Sequence, residues 1–279
     1  MGRVGRVTRL LATSDLHVNY PENRAIVEDL RPESDTDWLI VAGDIGDRSE
    51  HIEWTLTLLS QRFSKVIWSP GNHELWTTSE DTVEARGEAR YQYLIDLCRR
   101  IGVLTPEDDY PVWDGPGGPA IVASLFLLYD YTFRVDGVAT KEAALAKAYD
   151  AGVVCTDEYF LHPDPHPNRE TWCDARVAIT RKRLDACDPD LPTVLITHWP
   201  LVREPTRVLR YPDFALWCGT EQTADWHQRY RTKVAVYGHL HIPRITEYDG
   251  VRFEEVSLGY PREWQARARP PVVPRVILG

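Results

Sequence analysis

Five short apolar segments of this chain each run into a residue able to bind a metal, and this recurrence constrains the fold more than any other feature. "RVTRLLATSD" ends at Asp15, with His17 two residues on, and "DWLIVAGD" ends at Asp44. "KVIWSPGN" ends at Asn72 with His73 next, "PTVLITH" at His198, and "KVAVYGH" at His239, followed by His241. Apolar runs of this length read as strands buried on both faces. Between the first three, "RAIVEDL" and "EHIEWTLTLLSQRF" have helical spacing, the latter through Ile52, Leu56 and Leu59. Strands alternating with helices predict βαβ units and a parallel sheet. In such sheets a ligand site lies just beyond the carboxyl ends of the strands, which is where five of the nine histidines fall. Singly, a strand-end Asp caps a turn and a lone His is an ordinary surface or core residue. Together, at five strand ends, they predict a metal site.

Ser79, followed by Glu80 and Asp81, predicts the cap of a long helix running to about Arg100. "YPVWDGPGGPAIVASLFLLYDY" predicts two strands around a Gly/Pro turn, and helices are expected at Ala139–Asp150 and from "LHPDPHPNRE" to about Ala186. "RITEYDGVRFEEVSL" predicts a hairpin turning at Asp249-Gly250, with Ile245, Val251 and Phe253 as apolar positions. We expect one domain over 1–279. It would carry an insertion at about 105–190, able to roof the site, and a Pro/Arg-rich tail at 265–279 that is extended or loosely held. With 279 residues, 43% of them hydrophobic, the chain can bury a large core. No apolar run approaches the roughly 20 residues of a membrane span, and no membrane partner is expected. The five cysteines are odd in number, far apart and without a C-x-x-C pair, so a reduced, cytoplasmic protein is expected. A net charge of −10 argues against nucleic acid as a partner.

The motifs "SDLH", "GDIGDR", "GNHE", "THW" and "GHLH" complete, in order, the signature D-x-H, G-D, G-N-H-E/D, H and G-H-x-H. On these residues the chain resembles the calcineurin-like metallophosphoesterase superfamily, from about Val7 to Trp264. The resemblance implies an α/β fold: a four-layer α-β-β-α sandwich of two mixed sheets, with a dinuclear metal site at the strand C-terminal ends. It implies that Asp15, His17, Asp44 and His241 hold the first metal, and that Asp44, as a bridge, with Asn72, His198 and His239 holds the second. Imidazole, carboxylate and carbonyl donors without thiolate favour Mn and/or Fe, with Zn also compatible. Two carboxylates against two divalent or trivalent ions leave the site electropositive and suited to a phosphate. A metal pair about 3.5–4 Å apart brings the pKa of a bridging water toward roughly 7, giving a hydroxide that attacks phosphorus in line. The resemblance further implies that His73 assists the leaving group, Asp47 orients His73 and Arg48 grips phosphate. The segment lacks the Gly that follows G-D-x-x-D-R in the Ser/Thr phosphatase branch, so an exposed turn pair is the alternative for Asp47 and Arg48.

The segments "GNHELW", "FLLYDYTF", "FALWCGT", "TADWH", "HLHIPR" and "GVRFEEVSLGYPREW" resemble a bacterial 4′-phosphopantetheinyl hydrolase subgroup. This implies a phosphodiesterase cleaving the phosphopantetheine–serine bond of holo acyl or peptidyl carrier proteins. A phosphodiesterase or phosphomonoesterase acting on cyclic nucleotides or nucleotide conjugates is the alternative. A non-catalytic metal-binding scaffold is a third reading, which the intact ligand set disfavours. Trp76 and Tyr131 are candidate substrate contacts, with rim packing as their ordinary reading. Docking an acidic carrier on an acidic protein requires a basic face. The candidates are Arg169, Arg176 and Arg183, spaced by seven, and Arg203, Arg207 and Arg210 just after His198.

Overall fold

The structure, a computed structural model, describes residues 7–267 and 273–279. Its strands are β1 (Leu10–Thr13), β2 (Trp38–Val41), β3 (Lys65–Trp68), β4 (Val112–Trp113), β5 (Ala120–Ser124), β6 (Thr193–Ile196), β7 (Thr232–Tyr237), β8 (Arg244–Tyr248), β9 (Val251–Glu255) and β10 (Arg275–Leu278). Its helices are α1 (Pro21–Asp29), α2 (Ser49–Ser60), α3 (Asn72–Leu75), α4 (Gly87–Arg100), α5 (Lys141–Asp150), α6 (Asp157–Phe160), α7 (Arg169–Asp185), α8 (Trp226–Arg229) and α9 (Pro261–Trp264).

Two mixed sheets result, ordered β10-β1-β2-β3 and β4-β5-β6-β7-β9-β8. Strands β1, β2 and β3 are mutually parallel, as are β5, β6, β7 and β9, while β10, β4 and β8 join antiparallel at the edges. Side chains alternate across a strand, and here both faces are apolar. Leu10, Ala12, Ile40 and Ile67 of the first sheet share one buried cluster with Val122, Ile196 and Val236 of the second, so the sheets pack against each other. The opposite faces, through Leu11, Val41, Trp68, Leu195 and Phe253, pack with helical residues such as Ile52, Leu94, Trp172 and Trp226. This is why the strand sequences read as continuous apolar runs.

The start of one helix and the exposure of one hairpin residue depart from expectation. Helix α4 begins at Gly87, not near Ser79. Gly87 has φ +55°, and a Cβ there would lie 2.0 Å from the Asp164 carbonyl oxygen, so the chain cannot run helically through it. Asp81 instead accepts from the Ser49 backbone N–H at 2.8 Å, capping α2, and pairs with Arg90 at 2.9 Å. The expected insertion starts inside the second sheet, because β4 and β5 are two of its strands. Of the tail, Arg275–Leu278 is strand β10 on the edge of the first sheet with Ile277 buried, while residues 268–272 lie outside the described residues. The hairpin turns at Asp249 and Gly250, both with positive φ, but Ile245 is exposed, on the uncovered face of β8 that it shares with Glu247. No helix among the described residues is long and apolar enough to cross a membrane.

Candidate metal centre

Each sequence-predicted ligand lies two to four residues beyond a parallel strand, and backbone bonds tie these loops into one floor. Asp15 N–H donates to the Gly43 carbonyl (2.9 Å), His17 N–H to that of Asp44 (3.1 Å), and Gly238 N–H to that of His198 (2.9 Å). Ser124 Oγ donates to the Trp68 carbonyl and Ser69 Oγ to the Leu125 carbonyl, both at 2.6 Å, pinning the two sheets together at this end. The chain turns sharply here. Asp15, His17, Asp44, His239 and His241 all have left-handed φ, between 40° and 70°. Such backbone costs a non-glycine residue about 1–3 kcal/mol, so the loops hold strained conformations at the ligand positions. Two glycines admit the carboxylates: a Cβ on Gly71 would sit 2.2 Å from Asp44 Oδ1, and one on Gly238 2.3 Å from Asp15 Oδ2.

Three groups of potential ligands form among the described residues; Asp44 belongs to two of them, and the third is His17, Asp47 and His73. Asp15, His17, Asp44 and His241 converge in one of the Asp44 clusters, and Asp44, His198 and His239 in the other, each with its donor atoms within 4.8 Å of one another. His17 Nε2 faces His241 Nε2 at 3.2 Å, and His241 Nε2 lies 3.0 Å from Asp15 Oδ1. In the second cluster the Asn72 amide oxygen lies 3.2 Å from His198 Nε2 and 3.1 Å from His239 Nδ1. Asp44 Oδ2 is 3.2 Å from His198 Nε2. Lone pairs converging this closely suit a cation at each centre. The far side of several ligands is also fixed, as metal-binding imidazoles require. His198 Nδ1 donates to the Ala42 carbonyl (2.9 Å) and His241 Nδ1 to Glu263 (2.7 Å), leaving each Nε2 for the metal. Asp15 Oδ2 accepts from Ser14 (2.5 Å) and Ser257 (2.6 Å). The residues present therefore fit a pair of metal ions.

His73 stands beside the two Asp44 clusters. Its Nδ1 donates to Asp47 Oδ1 at 2.6 Å, its ring lies 3.7 Å from that of Trp76, and its Nε2 is 3.5 Å from the Tyr260 hydroxyl. His73, Trp76 and Tyr260 line a cavity of about 490 Å³ together with Asp44, Asn72, His239 and His241. That volume suits a small-molecule group. Arg48, expected to grip phosphate, does not line it: Arg48 points to Glu80 (2.7 Å) and Glu50 (3.6 Å). Tyr131, expected as a substrate contact, is buried, donating to Glu158 at 2.7 Å and accepting from Arg169 at 3.0 Å. The arginine row on α7 turns inward as well. Arg169 pairs with Glu158 (3.0 Å), Arg176 with Glu107 (2.5 Å), and Arg183 donates to the Asp108 carbonyl (2.5 Å). Seven-residue spacing put them on one face, but packing made it an inner face. Of the second basic group, Arg203 pairs with Asp136 (3.0 Å), whereas Arg210 is exposed and lines the cavity.

The imidazoles split electrostatically. Burial, with the nearby charges of His73 and His241, holds His17 well below its ordinary value. Burial and His198 bring His239 down to about 3. Burial also opposes charge on His198 and His241, but Asp44 pushes His198 up to about 9, and Asp15 with Glu263 raises His241 well above the usual range. Metal-free at pH 7, His198 and His241 therefore hold protons that a metal must displace, while His17 and His239 are already neutral. Loading both metals is expected to release at least two protons at pH 7, with affinity falling as pH is lowered. Calorimetric titration in two buffers of different ionisation enthalpy measures this number, and a value of zero would show both raised imidazoles to be neutral.

Four contributors escaped the sequence reading: Glu74, Asp157, Tyr260 and Glu263. Glu74 accepts from the backbone N–H groups of Asp44 (2.9 Å), Ile45 (2.8 Å) and Gly71 (2.9 Å), binding two ligand loops together. Its place in "GNHE" was a signal, but two of its three partners, Asp44 and Ile45, are 30 and 29 residues away. Tyr260 and Glu263 lie in "GYPREW", at the N-cap and within α9, and nothing local marks Asp157.

The family model described as Calcineurin-like phosphoesterase matches residues 8–243. The chain is 55% identical over 264 residues to the [Acyl-carrier-protein] phosphodiesterase PptH of Mycobacterium tuberculosis, covering 95% of this chain and 82% of that protein. The crystal structure of Phosphopantetheinyl Hydrolase (PptH) from Mycobacterium tuberculosis superposes with a TM-score of 0.96 at 53% identity, covering 99% of this chain and 97% of that one.

Proposed function

The chain belongs to the calcineurin-like phosphoesterase family, and from this premise we infer that it is a metal-dependent phosphodiesterase that cleaves the phosphopantetheine–serine bond of holo-acyl carrier protein. The observation that carries the substrate is its likeness, over nearly the whole chain, to an acyl-carrier-protein phosphodiesterase. Asp15, His17, Asp44 and His241 hold one metal, and Asp44, Asn72, His198 and His239 the other; Mn and Fe suit these donors best, with Zn also compatible. When bound, the pair supplies Lewis acidity for the phosphoryl oxygens and a nucleophile at neutral pH.

The remaining work falls to this chain's own side chains. His73, aligned by Asp47, offers its Nε2 to the leaving serine oxygen, and Trp76 and Tyr260 flank that imidazole. Leu209, Phe214, Leu240 and Ile242 give the cavity an apolar wall for the pantetheine arm. Arg210 and Arg262 line the cavity, are exposed and form no ion pair within 4 Å among the described residues, although Arg262 lies 5.4 Å from the Tyr260 ring and its charge helps hold Glu263 ionised. An acidic carrier docks there by charge complementarity, despite the enzyme's own net charge of −10. A carrier-protein substrate and five unpaired cysteines agree with a cytoplasmic enzyme.

Mass spectrometry of holo-acyl carrier protein after incubation with the Mn-loaded enzyme tests this reading. Loss of the whole phosphopantetheine group, with the serine hydroxyl restored, is the expected result. An unchanged carrier alongside metal-dependent cleavage of cyclic nucleotides or a simple aryl phosphodiester would replace the carrier with a small-molecule substrate.

A further inference from the structure

We propose that Asp157, on the short helix α6, is a positioning residue of the second metal site: it sets the orientation of the Asn72 amide and couples that ligand to the cavity wall. An asparagine can present either its oxygen or its nitrogen to a metal, and only the oxygen has a lone pair to give. Here Asn72 Nδ2 donates to Asp157 Oδ1 at 2.9 Å, so Asn72 Oδ1 turns toward His198 and His239. A carboxylate has no N–H or O–H of its own when ionised, so it holds the amide in this one orientation. The same Asp157 oxygen accepts the Trp76 indole N–H at 2.7 Å. One buried atom thus fixes both a metal ligand and the aromatic ring against His73.

The surrounding backbone reinforces this link. Thr77 N–H donates to the Phe160 carbonyl at 3.0 Å, and Trp76 bridges antiparallel to Leu161. The segment after Asp157 is therefore stitched to the segment after Asn72, although 85 residues separate the two. Val154, Cys155 and Thr156, just before Asp157, line the cavity. A substrate pressing on that wall reaches the second metal through Asp157.

The inference rests on the two-metal reading above, and its test separates the two. Metal-free wild type, Asp157→Ala and Asp157→Asn are titrated with Mn(II) by calorimetry, and the coupled two-Mn(II) signal is followed by electron paramagnetic resonance. Asp157→Ala, lacking the acceptor, is expected to keep the first Mn(II) but bind the second about 10–100-fold more weakly, with the coupled signal lost at equal loading. Asp157→Asn retains an oxygen facing Asn72 and Trp76, its amide nitrogen replacing the unpartnered Oδ2, and is expected to bind the second Mn(II) within a few-fold of wild type. Wild-type affinity in Asp157→Ala would overturn the positioning role alone. A wild type that takes up a single Mn(II) would overturn the two-metal reading and this one with it. Should Asp157→Ala lose the first Mn(II) by misfolding, Asp157→Asn decides: loss of its second site would show that charge, not amide orientation, is what Asp157 supplies.

Discussion

Asp44→Asn is expected to leave the chain folded but cost on the order of 10⁴-fold or more in phosphodiester hydrolysis, about 5 kcal/mol of transition-state stabilisation. Asp44 is shared by two ligand clusters, so a single substitution weakens both sites. The fold should hold because Asp44 Oδ1 accepts from the His73 backbone N–H at 3.0 Å, and an asparagine oxygen can do the same. The cost falls on the other side. The amide nitrogen would replace Oδ2, which faces His198 at 3.2 Å, turning a lone pair aimed at the metals into two N–H donors. Half of the site's carboxylate charge goes with it. Metal content by elemental analysis, set beside the circular dichroism of the same sample, checks both halves of this expectation. A variant that still carried two metals at wild-type affinity would rule out a shared role for Asp44.

His73→Ala should do the opposite, keeping both metals while losing turnover by about 10²–10⁴-fold, the range for a positioned general acid. His73 is not one of the residues in the two Asp44 clusters, and its Nδ1 is held by Asp47 so that Nε2 is the atom left for substrate. The leaving group gives a sharper reading. A serine alkoxide is a poor leaving group and needs the proton, whereas an aryl oxide leaves without one. The loss should therefore be large on holo-carrier protein and shrink to roughly a few-fold on a nitrophenyl phosphodiester. Equal losses on both substrates would make His73 a stabiliser of phosphate charge rather than a proton donor. Asp47→Ala should follow the same pattern more mildly, since it removes only the group that orients the ring.

The same residues show what a single chain reveals before it folds. The ligands were legible because each is announced locally: an apolar run of strand length, then Asp, Asn or His within a few residues, often after a glycine that lets the backbone approach. The hairpin at Asp249-Gly250 was legible for a similar reason, since both turn residues need positive φ. The start of α4 was not legible, because Ser79 has the chemistry of a cap while Asp81 is engaged with Ser49 on another helix. Arg48 sat in a motif that suggested phosphate, yet Glu80, thirty-two residues away, holds it outside the cavity.

What the sequence determined by itself was the local chemistry: which donor atoms follow which strands, and that imidazoles and carboxylates gather at one metal site, while the metal pair and the phosphoester came from the family resemblance those motifs carry. Only the tertiary structure decided where the polar ends point. Asn72 presents its oxygen because Asp157 holds its nitrogen, the arginines of α7 face inward because Glu107 and Glu158 lie under them, and Arg275–Leu278 becomes a strand because β1 has a free edge. These orientations arise from hydrogen bonds and ion pairs between residues distant in sequence, and such pairings leave no periodic or local trace in the chain.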